Sequence, residues 1–128
     1  MIVIDYSDTR PIYEQIVEKL KNYILKGVLP PDSQLMSVRA MAMELSINPN
    51  TIQRAYAELE REGFIYTIKG RGNFVRYDAA LLDRRKSELV DRMEAVLKEA
   101  DELGISKEEL VEILEKRLQQ EHGEEQHD

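Results

Sequence analysis

Two short stretches of this sequence collect side chains suited to reading and gripping a polar, anionic surface. One is Asn48-Pro49-Asn50-Thr51-Ile52-Gln53-Arg54, and the other is Lys69-Gly70-Arg71-Gly72. Amides and guanidinium groups make paired hydrogen bonds to base edges, while a threonine hydroxyl serves a base or a phosphate. Asn48 suits an N-cap and Pro49 the first helical position, so Asn50, Thr51, Gln53 and Arg54 crowd the opening turn and a half of a helix. Free N–H groups and the positive dipole end at such a terminus also favour phosphate. In the second stretch Gly70 and Gly72 let backbone come close to a ligand, and Lys69 and Arg71 neutralise phosphates or enter a minor groove. Arg39 lies in the first turn after another cap, Ser37, and is suited to a phosphate or a guanine. Each feature has an ordinary alternative. Asn48 caps in any case, Asn50 and Gln53 could be solvated polar residues, Arg39 could pair with Glu44, and Lys69–Gly72 could be a turn that happens to be basic.

The elements around these residues decide between the two readings. Ile12, Ile16, Leu20, Tyr23 and Ile24 recur at helical spacing over about 11–26, with Pro11 suited to the first turn. Gly27 and Pro30-Pro31 end that helix, and 28–36 reads as a loop. Ser37 caps a short helix over 38–45, Ser46-Ile47 breaks it, and a third helix over 49–62 buries Ile52, Ala55, Tyr56 and Leu59 before Gly63. Two helices so closely joined fit a helix-turn-helix, whose second member enters a major groove. Strand-like residues 64–68 and 74–77 flank the Lys69–Gly72 tip, which makes a basic β-hairpin directly after the helix pair. The predicted class is therefore mostly α with a small β-hairpin wing: a winged helix-turn-helix over 1–77. Residues 2–6 look like a short β-run, and Tyr13, Tyr23, Tyr56 and Tyr66 fall on apolar faces.

The rest of the 128 residues reads differently. Residues 1–77 hold 10 Lys+Arg and 9 Asp+Glu, a net of +1, whereas 78–128 hold 8 and 16, a net of −8. Asp78 caps a helix over about 79–102, and Ser106 with Glu109 opens another over about 107–120. Their stripes carry Leu82, Leu89, Met93, Leu97, Leu110, Leu114 and Leu118. Two helices can hardly enclose a small-molecule pocket, so the simplest cover for these stripes is a second copy, giving a homodimer that reads a palindrome. The expected layout is a two-helix dimerisation region over 78–121 and a disordered tail over 122–128.

Other chemistry finds little support. No nucleophile–base pair, phosphate loop or acid–base constellation is recognisable, and His122 and His127, the two histidines, fall near the C-terminus without a fixed ligand set. Cysteine is absent, which removes thiol nucleophiles, disulfides and zinc knuckles and suits the cytoplasm. No signal peptide is apparent, nor any apolar run near the roughly 18–20 residues of a membrane span. Neither an enzyme nor a cofactor is expected, and no residue suggests a particular effector.

Several separated motifs carry a family resemblance in the right order. They are Leu29-Pro30, Ser37-Val38-Arg39, Asn48-Pro49-Asn50-Thr51-Ile52, Ala55-Tyr56-Ala57-Glu58-Leu59-Glu60-Arg61-Glu62-Gly63-Phe64-Ile65 and Gly70-Arg71-Gly72-Asn73-Phe74-Val75. Through them residues 11–75 resemble the DNA-binding domain of GntR-type bacterial transcription regulators. The Asn-Pro-Asn-Thr opening and the short two-helix tail resemble the YtrA subfamily. Met36 departs from the pattern, since many members have Pro before Ser-x-Arg. The resemblance implies a sequence-specific regulator that binds double-stranded operator DNA, and a repressor is expected because a bound dimer can block polymerase with no extra contacts. Its contacts would be Arg39, Asn48, Asn50, Thr51, Gln53, Arg54 and the wing residues Lys69, Gly70, Arg71 and Gly72. The competing class is a winged helix used for protein–protein association without DNA.

Overall fold

A computed structural model describes the backbone of residues 2–127 and side chains as far as residue 122. The chain divides into two compact units, Met1–Asp83 and Arg84–Asp128.

The first unit contains helices α1 (Ile12–Leu25), α2 (Val38–Leu45) and α3 (Pro49–Arg61), then strands β1 (Ile65–Ile68) and β2 (Gly72–Val75). Its core forms where the apolar stripes of α1 and α3 meet the inner face of the hairpin. Ile16, Leu20 and Ile24 of α1, Ile52 and Leu59 of α3, and Ile65 and Val75 of the hairpin are fully buried. The last two face each other across the antiparallel ladder, so the pairing register and the core select one another. Lys21, at the back of α1, reaches Glu62 beyond the end of α3 at 2.8 Å and lies over the Phe64 ring at 5.4 Å.

Three local features depart from the sequence reading. Residues 2–6 do not join a sheet. Instead the buried amide of Gln15 accepts from Asp5 N and donates to Asp5 O, both at 3.0 Å, and so replaces a partner strand. Pro11 is the N-cap residue of α1 rather than its first helical residue. Residues 32–35 are more ordered than a loop. Asp32 N donates to Val75 O at 2.7 Å, Leu35 N to Asn73 O at 2.8 Å, and Val75 N to Ser33 O at 2.9 Å. The strand-like segment this makes along β2 satisfies groups of that edge which would otherwise stay unpaired.

Helix α4 (Ala79–Glu102) starts inside the first unit. Ala80 N donates to the Asp78 carboxylate at 3.0 Å, the cap expected there, and Leu81 is buried with the core. This explains why the first unit extends to Asp83 and not 77. Leu82, placed by its spacing in the dimerisation stripe, is half-buried and belongs to this unit.

The second unit is a helical hairpin of the remainder of α4 and α5 (Lys107–His127). Ile105 N returns to Ala100 O at 2.9 Å, and Ser106 Oγ accepts from Glu109 N at 3.1 Å to start α5. The helix runs to His127, where a disordered tail over 122–128 was expected. Nothing in Glu121–His127 stops it: Glu and Gln are good helix formers, and a single glycine costs only about 1 kcal/mol. Asp128 lies outside the described residues. Among the described residues no helix is long and apolar enough to cross a membrane.

Candidate nucleic-acid interface

The candidate surface comprises two helix starts and a hairpin tip, all within the first unit. Ser37 Oγ accepts from Ala40 N at 3.1 Å, so α2 begins where the sequence placed it and Arg39 falls in its first turn. Arg39 is exposed, and among the described residues no acid pairs with it, Glu44 included. Asn48 Oδ1 accepts from Asn50 N at 2.8 Å, with Pro49 opening α3. The Asn48 carboxamide oxygen is therefore engaged in capping. Asn50 and Gln53 are exposed, Thr51 is half-buried, and the opposite face of the helix is sealed by Ile52, Ala55 and Tyr56. Polar and apolar positions separate cleanly because α3 keeps its 3.6-residue period from the cap onward.

Arg54 is also exposed, but its guanidinium carbon sits 3.9 Å from the centre of the Tyr13 ring on α1. That cation–π contact restricts the side chain and turns part of it towards α1 instead of outwards.

At the wing, Arg71 N donates to Ile68 O at 2.9 Å and closes a turn over Lys69 and Gly70. Gly70 takes φ +80°, the left-handed value the third position of such a turn demands. Lys69 and Arg71 are exposed at the tip, and no acid pairs with them among the described residues. Behind the tip, Tyr66 and Phe74 stack at 5.6 Å, and Tyr66 donates its hydroxyl to Asp32 Oδ1 at 2.8 Å. That hydrogen bond raises the Tyr66 hydroxyl above its usual range.

Two residues here carry positional roles that spacing could not reveal. Gln34 Nε2 donates to Arg71 O at 2.8 Å. Tyr56, almost wholly buried, donates its hydroxyl to Met36 O at 2.7 Å, and burial pushes that hydroxyl up to about 12. The only sequence signal for the second was general: a buried tyrosine needs a partner for its O–H.

In the second unit Met93, Leu97, Leu110 and Leu114 come together with Arg92, Val96 and Val111 around an open groove of about 250 Å3. Leu89 and Leu118 are about half exposed but do not line it. A further open groove of about 570 Å3 has mixed charge, with Lys98, Asp101, Glu102, Lys107 and Glu108 among its walls. Two helices thus do form hollows of small-molecule volume, although neither is enclosed.

A capped recognition helix, a basic hairpin tip and a short helix ahead of them define a winged helix-turn-helix protein. Residues 12–75 match bacterial regulatory proteins of the gntR family. Over 112 residues, 86% of each chain, the sequence is 38% identical to the HTH-type transcriptional repressor YtrA of Bacillus subtilis. Among solved structures, a transcriptional regulator from Oenococcus oeni superposes with TM-score 0.75 at 33% identity, covering 92% of this chain and 99% of that one. A GntR family transcriptional regulator from Listeria monocytogenes gives TM-score 0.71 at 37% identity, covering 85% and 96%. The chain belongs to the gntR family, resembles its YtrA subfamily, and is a DNA-binding transcription regulator.

Proposed function

We propose that the chain is a cytoplasmic repressor that binds a palindromic operator as a homodimer, without catalysis and without a cofactor. The observation that carries this reading is the exposed set Arg39, Asn50, Gln53, Lys69 and Arg71. Among the described residues its donors are unpaired by acids, and they are gathered on one unit at the starts of α2 and α3 and at the wing tip. The first turn of α3 reads base edges in the major groove, Arg39 anchors on phosphate, and Lys69 and Arg71 engage the flanking backbone or minor groove. Arg54 acts mainly through its contact with Tyr13 and adds charge near the groove. The winged-helix unit covers Met1–Asp83, and dimerisation belongs to the α4–α5 hairpin, where Met93, Leu97, Leu110 and Leu114 leave an apolar groove uncovered. The acidic charge of that half keeps it off DNA.

The test is fluorescence anisotropy on the DNA upstream of its own coding sequence, against a scrambled duplex, over a salt series. Preference for the upstream duplex, with affinity falling steeply as salt rises, is the expected result. No binding to either duplex at low salt overturns the reading.

A further inference from the structure

Gln34 lies outside the recognition helix and the wing, yet it touches the wing at its most sensitive point. Its backbone bridges Phe74, and its Nε2 donates to Arg71 O at 2.8 Å. To get there the amide crosses Gly72. A Cβ on that residue would stand 2.9 Å from Nε2, and its φ of +123° is one that L side chains rarely adopt. The missing side chain at 72 is thus the opening through which Gln34 reaches the arginine. Two residues further along, Met36 O accepts from Tyr56 on α3. The segment 34–36 therefore holds the wing-tip backbone at one end and the recognition helix at the other.

We propose that Gln34 is a positioning residue for DNA binding: by fixing the carbonyl of Arg71 it sets the direction in which that side chain leaves the wing. The inference rests on the reading that the wing tip engages DNA. A turn bond, Arg71 N to Ile68 O, closes the tip, and the Gln34 amide adds a restraint on the carbonyl of the same residue. Without it the tip samples more directions, and binding must order the Arg71 side chain at entropic cost. Only a donor suffices, since the partner is a carbonyl oxygen.

The test uses the full chain and a duplex enriched from a random pool on the wild-type protein. Gln34→Met keeps length and loses the donor. It is expected to weaken binding about three- to tenfold, the cost of ordering a freed long side chain. The salt slope should stay at the wild-type value, because the phosphate contact is still made once the tip is ordered. In an Arg71→Ala background the same change should add nothing. In the free protein, hydrogen exchange should quicken at residues 69–72 while α1 and α3 keep their protection. Wild-type affinity in Gln34→Met, or a full additional loss on top of Arg71→Ala, overturns the positioning role and leaves DNA binding intact. Exchange that quickens throughout the unit also overturns it, making Gln34 a general stability residue. If Arg71→Ala itself changes neither affinity nor salt slope, the wing contact fails and the inference with it.

Discussion

Tyr56 donates its hydroxyl to the main-chain oxygen of Met36 at 2.7 Å, so the recognition helix is fastened to the residue just ahead of the Ser37 cap. Met36 stands where many GntR-type regulators have proline. The tie uses its carbonyl, which proline also offers, so the substitution leaves this anchor in place. The bond ties the segment leading into α2, which carries Arg39, to the middle of α3, whose first turn carries Asn50.

Tyr56→Phe removes that bond and leaves a partly buried carbonyl unsatisfied. A loss of about 1–2 kcal/mol at neutral pH is expected by denaturant unfolding. The pH dependence has a definite sign. Burial raises the Tyr56 hydroxyl from 10.0 to about 12, so between those values the unfolded chain releases its proton first and stability falls as pH rises. Phenylalanine lacks this step. The stability gap between wild type and variant should be constant below pH 10 and narrow from there towards pH 12. A gap that widens would be inconsistent with a buried donor.

Base reading and phosphate anchoring should separate in binding measurements. Arg39→Ala should weaken all duplexes alike and reduce the salt slope by about 1. Asn50→Ala or Gln53→Ala should instead relax preference at one base pair by about 1–3 kcal/mol, measured by competition among single-site operator variants. Unchanged binding in all three would remove α2 and α3 from the interface.

The caps and stripes of this fold were legible because they are local. Ser37, Asn48, Asp78 and Ser106 each cap the helix their spacing predicted, since capping needs only a side-chain oxygen two or three residues ahead of an N–H. What stayed hidden depends on residues far apart in the chain. Gln15 clasping Asp5, Gln34 crossing Gly72 and Arg54 on Tyr13 join segments that no periodicity connects. The burial of Leu81 is hidden from the sequence for a similar reason. It is a tertiary fact of the first unit, while the helical stripe from Leu89 onward belongs to the second. The candidate site residues could be named from sequence, but not the parts that hold them still.

Leu81→Ala tests where the winged-helix unit ends. Leu81 is 4% exposed among the core of that unit, although it lies beyond the wing. Truncating it should destabilise the first unit by about 2–5 kcal/mol, the range for emptying a packed leucine site. Leu89→Ala, at 46% exposure, should change monomer stability little. Calorimetry of the two variants decides whether α4 begins as part of the DNA-binding body.

Backbone strain offers a pair of opposite outcomes. Ser46 closes α2 at φ +54° in the left-handed region, where a Cβ costs about 1–2 kcal/mol. Ser46→Gly should therefore stabilise, by about 0.5–1 kcal/mol once glycine's extra unfolded freedom is subtracted. Gly72→Ala introduces the reverse problem, a Cβ at φ +123° pressing on Gln34 Nε2. A loss of about 1–3 kcal/mol is expected, together with weaker DNA binding as Gln34 is pushed aside. Thermal melts in parallel would show the opposite signs.

The groove on the α4–α5 hairpin makes the last prediction. Met93 and Leu114 are 61% and 50% exposed within a lining that is apolar apart from Arg92. An apolar surface of this kind, left open on a helical pair, is stable in water when a second copy covers it. Met93→Glu or Leu114→Glu places a charge there that dimerisation would have to desolvate, at a cost of several kcal/mol. Sedimentation should show the wild type at twice the chain mass and each variant at the chain mass. On DNA the variants should keep their affinity for a single half-site and lose the gain that a second, properly spaced half-site provides, because that gain comes from linkage between subunits. Variants that remain dimeric would move the interface off this groove. Variants that are monomeric yet still favour the paired site would mean that DNA itself assembles the two copies.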